Sequence, residues 1–106
     1  MSNTRIHEQA LAEMFKALGN PHRLSVFERL SRCCEPGTAC NLEVAKRFCV
    51  GDLGGDLEIA PSTLSHHLKE LNRAGLIQME RVGKSIMCWV EIETLNSLAA
   101  FFSAKR

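Results

Sequence analysis

The sequence of 106 residues has no apolar run that approaches the ~18 residues needed to span a bilayer. Its polar beginning, Met1 to Glu8, lacks the hydrophobic stretch of a signal peptide. It also has no internal repeat and no low-complexity tract. These absences predict a cytoplasmic protein with no membrane partner.

The sequence also has little excess charge, with 13 Lys and Arg against 12 Asp and Glu and a net charge of +1. Composition alone therefore gives no general attraction for nucleic acid, so any such function must follow from the placement of the charges. The content of 45% hydrophobic and 24% charged residues is typical of a folded globular protein. Because two cores would not fit this length, we predict a single domain over residues 1–106.

Recognisable catalytic sets are absent as well. The cysteines and histidines do not form an arrangement with a recognised nucleophile turn. Gly51, Gly54 and Gly55 lack the following Lys-Ser or Lys-Thr of a phosphate-binding loop. We predict that the protein is not an enzyme, has no small-molecule substrate and requires no cofactor for folding.

Apolar residues that recur every third or fourth position predict five helices. Asn20 is expected to cap the second helix, and Gly19 to close the first in the left-handed conformation. The second helix is expected to turn Leu24, Phe27 and Leu30 inward. The predicted ranges are Thr4 to Leu18, Pro21 to Cys33, a weak helix from Val50 to Leu57, a strong helix from Pro61 to a stop at Gly75, and about Thr94 to Ala104.

Two segments rich in Ile, Val, Met and Trp predict strands, Leu76 to Val82 and Ser85 to Glu91, joined through Gly83-Lys84 as a hairpin. The predicted fold is therefore mainly α with a small β-hairpin, in the order α-α-α-α-β-β-α. A helix-turn-helix followed by such a hairpin is a winged helix-turn-helix, whose second helix fits the major groove of DNA.

The strong helix carries a polar face opposite its leucines. Hydroxyls and imidazole near its N-terminus can reach base edges or phosphates, and cations further along can bind phosphate. Two cations flank the hairpin tip, where they can meet the neighbouring minor groove or its phosphates. The predicted DNA-binding residues are Ser62, Thr63, Ser65, His66, Lys69 and Arg73 on the helix, and Arg81 and Lys84 on the hairpin.

The segment APSTLSHHLKEL from Ala60 to Leu71, followed by Ala74 to Ile77, resembles the recognition-helix signature of the ArsR/SmtB family of arsenic- and metal-responsive repressors. The junction LGNPHRL, Leu18 to Leu24, is another hallmark of that family. Ala60 and Pro61 depart from it, because they stand where the family often has a capping Ser and a polar base-contacting residue. The resemblance covers nearly the whole chain except an inserted, cysteine-bearing loop at about residues 33–46.

The resemblance implies a homodimer, built on the first and last helices, that represses transcription from a double-stranded DNA operator until an effector releases it. Ser62, Thr63, Ser65 and His66 match the family's DNA-reading positions. Independently of the family, the last helix is more apolar than one short helix needs beside so small a core, which favours a partner helix. The predicted dimer interface consists of Leu11, Phe15, Leu95, Leu98, Phe101 and Phe102.

The effector is predicted from the cysteines, because the family's usual ligands are missing. The last helix lacks His and carboxylate ligands from Thr94 to Phe102, and Gly51 and Gly54 replace two thiols of the C-x-C-x-x-C arsenic site. Soft thiolates select thiophilic ions. We therefore predict a site for trivalent arsenic or antimony, or another soft metal ion, drawn from Cys33, Cys34, Cys40 and Cys49, and expect Cys88 to be a core thiol.

Two alternatives stay open. In the first, two of Cys33, Cys34 and Cys40 form a disulfide or persulfide, so that the repressor responds to thiol oxidation. In the second, the chain is a cytosolic metal- or thiol-buffering protein that does not bind DNA.

Overall fold

The structure is a computed structural model. It describes residues 8–33, 35, 37–45 and 61–103, without the side chains of Cys33 and Pro61. The helix predicted from Val50 to Leu57, and the thiols of Cys33, Cys34 and Cys49, lie outside the described residues.

The described chain is mainly helical with a small antiparallel sheet, as predicted. The elements are α1 (Glu8–Leu18), α2 (Pro21–Cys33), β1 (Cys40–Asn41), α3 (Leu42–Val44), α4 (Pro61–Arg73), β2 (Gln78–Val82), β3 (Ser85–Trp89) and α5 (Ile92–Ser103). Within the described ranges, α2 matches its prediction, the two hairpin strands are shorter than predicted, and α5 begins two residues early.

Strand β1 is the main departure from the predicted order. It pairs antiparallel with β3, which also pairs with β2, so the sheet order is β1-β3-β2. Two residues are too few to show alternation, and the strand exists only because β3 lies beside it. The segment predicted as a loop therefore contributes the third strand of the sheet and then enters α3, whose first turn is capped by the Asn41 side chain.

The core lies between α2, α4 and the sheet. Leu68 and Leu71 are almost fully buried, as the apolar spacing of α4 predicts, and so are Leu76 and Ile77 between α4 and β2. The prediction for α2 is partly wrong, because Val26 is fully buried whereas Leu24 is 49% exposed. The buried face of α2 thus runs through Val26, Phe27 and Leu30, with Phe27 and Leu30 inward as predicted and Val26 in place of Leu24.

Two helix ends are set by local hydrogen bonds. Asn20 caps α2 as predicted, its Oδ1 accepting from the Arg23 amide at 3.0 Å. Gly19 closes α1 by donating its amide to the Lys16 carbonyl at 3.1 Å, but its φ is not positive, so the left-handed prediction is wrong. Gly75 has a φ of +87° just after α4, a conformation that suits glycine and stops the helix as predicted.

Candidate nucleic-acid interface

Helix α4 presents its predicted polar face to solvent. Its leucines at positions 64, 68 and 71 are buried, which directs the opposite side of the helix outward. On that side Ser65 is half-buried, and the exposed residues are Ser62, Thr63, His66, Lys69 and Arg73. Hydroxyls, one imidazole and two cations therefore share one face of a 13-residue helix.

The charges on this helix favour an anionic ligand near its beginning. The first turn of α4 has no acidic residue, so no carboxylate opposes the positive end of the helix dipole there. Near its end, the Arg73 guanidinium donates to the Glu70 carboxylate at 3.3 Å. Arg73 thus shares its charge with Glu70, although its own side chain is mostly exposed.

The hairpin places the other two predicted cations at its tip. Arg81 lies near the end of β2, opposite Ile86 on β3, and Lys84 lies in the turn; both are exposed. Gly83, with a φ of +64°, makes the tight turn possible. The candidate interface therefore includes a second element, the hairpin, besides α4.

The Arg23 side chain connects α4 to the junction of α1 and α2 by hydrogen bonds, and the sequence did not predict this role. Its Nη1 donates to the Ala17 carbonyl at 3.2 Å, and its Nε donates to His67 Nδ1 at 3.5 Å. His67 must be neutral at Nδ1 to accept this bond. The signal was present in the sequence, because Arg23 lies in the junction motif, but its partner is 44 residues away.

Three histidines gather where α2 meets α4. The His67 ring lies 6.3 Å from the ring of His22 and 6.0 Å from that of His66, measured between centroids. His67 is buried. Burial lowers the pKa of His67, and the nearby charges of Arg23, His66 and His22 lower that pKa further.

Helices α1 and α5 meet through aromatic rings. The Phe15 ring lies 5.4 Å from that of Phe101 and 5.7 Å from that of Phe102. Phe101 is 37% exposed and Phe102 is 62% exposed, whereas Leu11, Leu95 and Leu98 pack partly against the protomer's core. Of the predicted dimer residues, Phe15, Phe101 and Phe102 thus form one aromatic cluster, in which the rings of Phe101 and Phe102 are partly exposed to solvent.

The structure describes the side chains of two of the five cysteines, Cys40 and Cys88. Cys40 is half-buried on β1, and Cys88 is 3% exposed on β3, in agreement with its prediction as a core thiol. Across the described ranges, no group of three or more His, Cys, Asp and Glu residues is placed to hold a metal ion. The same ranges contain no helix that is long and apolar enough to cross a membrane.

Comparison with known proteins identifies the family of the chain. Residues 30–79 match the sequence profile of the bacterial regulatory proteins of the arsR family. The uncharacterized HTH-type transcriptional regulator YbzH of Bacillus subtilis (strain 168) is 33% identical over 96 residues, which cover 88% of this chain and 95% of that protein. The chain belongs to the ArsR family.

Two further relatives agree with this assignment. A transcriptional repressor SmtB homolog of Synechocystis sp. is 31% identical over 78 residues, covering 74% of this chain but 49% of that protein. The crystal structure of an ArsR family transcriptional regulator shares the fold with a TM-score of 0.63, at 24% identity, over 95% of this chain and 91% of that chain. The predicted winged helix-turn-helix fold is therefore confirmed. The ArsR chain is a transcriptional regulator with a DNA-binding helix-turn-helix, and its relatives are regulators rather than enzymes.

Proposed function

We propose that this ArsR chain is a homodimeric repressor that places α4 in the major groove of its operator. The observation that carries the proposal is the exposure of hydroxyl, imidazole and cationic side chains along one face of a helix whose other face is buried. In this proposal Ser62, Thr63, Ser65 and His66 contact base edges, because they lie in the first half of α4. Such a repressor acts in the cytoplasm, on a double-stranded DNA operator.

The cations position the helix rather than read the sequence. Lys69 and Arg73 lie one and two turns beyond His66, where they reach the phosphates that border the groove. Arg81 and Lys84, at the hairpin tip, bind the adjacent minor groove or its phosphates. The ion pair between Arg73 and Glu70 makes Lys69 the stronger phosphate ligand of the two helix cations.

The aromatic surface of α1 and α5 supports the dimer. A second copy of the chain would cover the exposed rings of Phe101 and Phe102 and continue the packing that Phe15 begins. A two-fold dimer presents its two recognition helices to successive major grooves, which are about 34 Å apart on one side of the duplex. The operator is then a pair of inverted half-sites.

The test replaces two base-reading side chains together. In a Ser65→Ala/His66→Ala variant, each dimer loses four side-chain contacts, and at about 1 kcal/mol each the affinity falls by about three orders of magnitude. The probe is a fluorescent duplex selected by the wild-type protein from a randomised pool, and binding is followed by anisotropy. The matched control is Ser25→Ala/Ser31→Ala, which removes two polar side chains from α2, outside the reading face.

Retained affinity in the α4 variant would refute the assignment of the reading face. Equal losses in both variants would refute it too, since a general effect on folding would then account for them. A wild-type chain that selects no duplex, but binds soft metal ions, would favour the metal-buffering alternative.

We further propose that a thiophilic ion, trivalent arsenic or antimony among them, releases the repressor by binding thiols from Cys33, Cys34, Cys40 and Cys49. The described side chains do not complete such a site by themselves: they include the thiols of Cys40 and Cys88, whereas trivalent arsenic takes three thiolates. The proposal rests on the concentration of thiols between α2 and residue 49. Arsenite, antimonite, mercury and copper should each be titrated into the apo protein on the selected duplex. Unchanged affinity without thiolate charge-transfer absorption would refute it.

A further inference from the structure

Cys40 and Cys88 are direct partners across the strands β1 and β3. The antiparallel register sets Cys40 opposite Cys88 and Asn41 opposite Met87. Residues that are directly opposite in an antiparallel pair point to the same side of the sheet, because side chains alternate in step on both strands. Both cysteines line one small cleft with Leu30, Ile77, Trp89 and Val90, which agrees with this orientation.

The spacing of such a pair suits a disulfide. Directly opposite residues have Cα atoms about 4.5 or 5.5 Å apart, depending on the type of pair, and disulfides span Cα separations of about 4.4–6.8 Å. Their Cβ atoms lie about 4.5–5.5 Å apart, whereas a disulfide draws them to about 3.5–4.5 Å. Closing the bond therefore draws the two Cβ atoms together by up to about 1 Å, which shifts β1 locally against β3.

The two cysteines differ in exposure, and this assigns them different parts in the formation of a disulfide. Cys40 is half-buried, so an oxidant can reach it, whereas Cys88 is 3% exposed. A hydroperoxide oxidises the Cys40 thiolate to a sulfenic acid, and the peroxide is reduced to water or an alcohol. The Cys88 thiolate then attacks the sulfenyl sulfur and expels hydroxide, which takes up a proton. Two thiols and one hydroperoxide thus give one disulfide and two molecules of water, or one of water and one of alcohol.

We propose that Cys40 and Cys88 form a peroxide-sensitive disulfide that couples the hairpin to the start of α3. The next residue after Cys40 is Asn41, whose Oδ1 accepts from the amides of Glu43 and Val44 at 2.9 and 3.3 Å and so begins α3. Cys88 lies on the central strand that carries the hairpin. A bond between them draws the start of α3 toward the strand that carries the hairpin, so it changes the placement of the hairpin, whose tip carries Arg81 and Lys84.

The effect on DNA rests on the proposed function, but the chemistry does not. Because the approach of β1 to β3 disturbs the arrangement that fits the operator, oxidation lowers DNA affinity, and we expect a loss within the range of about 5- to 150-fold that is typical of coupled sites. Reduction with a dithiol restores the original affinity.

Peptide mapping tests the bond without any DNA. Trypsin separates Cys40, in the peptide 33–46, from Cys88, in the peptide 85–105, and from Cys49, which lies beyond Arg47. After treatment with hydrogen peroxide and blocking of remaining thiols, the wild-type protein should yield peptides 33–46 and 85–105 joined by a disulfide. The joined peptide should disappear in Cys40→Ser. It should persist in Cys34→Ser, a matched control in the same peptide.

The outcomes separate this inference from the proposed function. Absence of the joined peptide in the wild type, or its persistence in Cys40→Ser, overturns the pairing. A joined peptide with unchanged affinity for the selected duplex overturns the coupling. If the reduced wild-type protein selects no duplex while the joined peptide forms, the proposed function fails and the disulfide assignment stands.

Discussion

Lys69 offers a quantitative test of how α4 meets DNA. It is exposed on the polar face of α4, and in a dimer it occurs twice. Each phosphate neutralised by a cation contributes about 0.9 to the slope of log K against log salt. Replacing Lys69 by Gln removes two such contacts per dimer, so the slope should become shallower by about 1.8. The side chain stays long and polar in this variant, which limits the change to the charge.

This difference is large enough to measure. Between 50 and 200 mM salt, a slope difference of about 1.8 means that the wild-type complex loses about 12-fold more affinity than the Lys69→Gln complex. The assay is anisotropy of the selected duplex at several KCl concentrations. Arg32→Gln is the control, because Arg32 is an exposed cation on α2 that pairs with Glu28 at 3.2 Å. An unchanged slope for Lys69→Gln, or an equal change for Arg32→Gln, would refute a phosphate contact by Lys69.

Two further predictions concern assembly and pH. Phe102→Ala removes a ring that is 62% exposed in the protomer, so it should weaken the dimer at least about tenfold in analytical ultracentrifugation. His67 has a lowered pKa, through burial first and then through the charges of Arg23, His66 and His22, so the unfolded chain binds its proton more readily. The wild type should therefore lose stability as the pH falls below about 6.5, and His67→Gln should flatten this dependence in urea unfolding.

Each of these two experiments has a clear contrary result. A Phe102→Ala variant with wild-type self-association would mean that the exposed rings of α5 are not the dimer surface. For the pH series, His66→Gln is the comparison variant: it removes a nearby charge that lowers the pKa of His67 but keeps His67 itself, so it should reduce the pH dependence less than His67→Gln does. If His67→Gln kept the full pH dependence of the wild type, another group would account for it.

The helices and the hairpin follow from short-range patterns in the sequence. The leucines of α4 define a buried face by spacing alone, and the same spacing fixes which polar residues face solvent. The turn at Gly83 and the helix stop at Gly75 are likewise local, since each needs a positive φ. The candidate reading face was therefore predictable residue by residue.

Features that depend on long-range packing were not predictable. Strand β1 has two residues and no pattern of its own, and it forms because β3 offers hydrogen-bonding groups beside it. The exposure of Leu24 was not predictable either, because the side of α2 that is buried depends on the elements that pack against Val26. The predicted thiol site grouped Cys40 with the cysteines near it in the sequence. It left out Cys88, which lies opposite Cys40 only in the folded chain.

Arg23 has a consequence for the length of the operator. One guanidinium ties the end of α1 to α4, so the helix proposed to join two subunits and the helix proposed to read DNA keep a fixed separation within each subunit. A rigid pair of reading helices tolerates one distance between half-sites. An inserted base pair lengthens the path by about 3.4 Å and also turns the second half-site around the duplex axis. Loss of the Arg23 side chain should therefore relax the preference for half-site spacing before it abolishes binding.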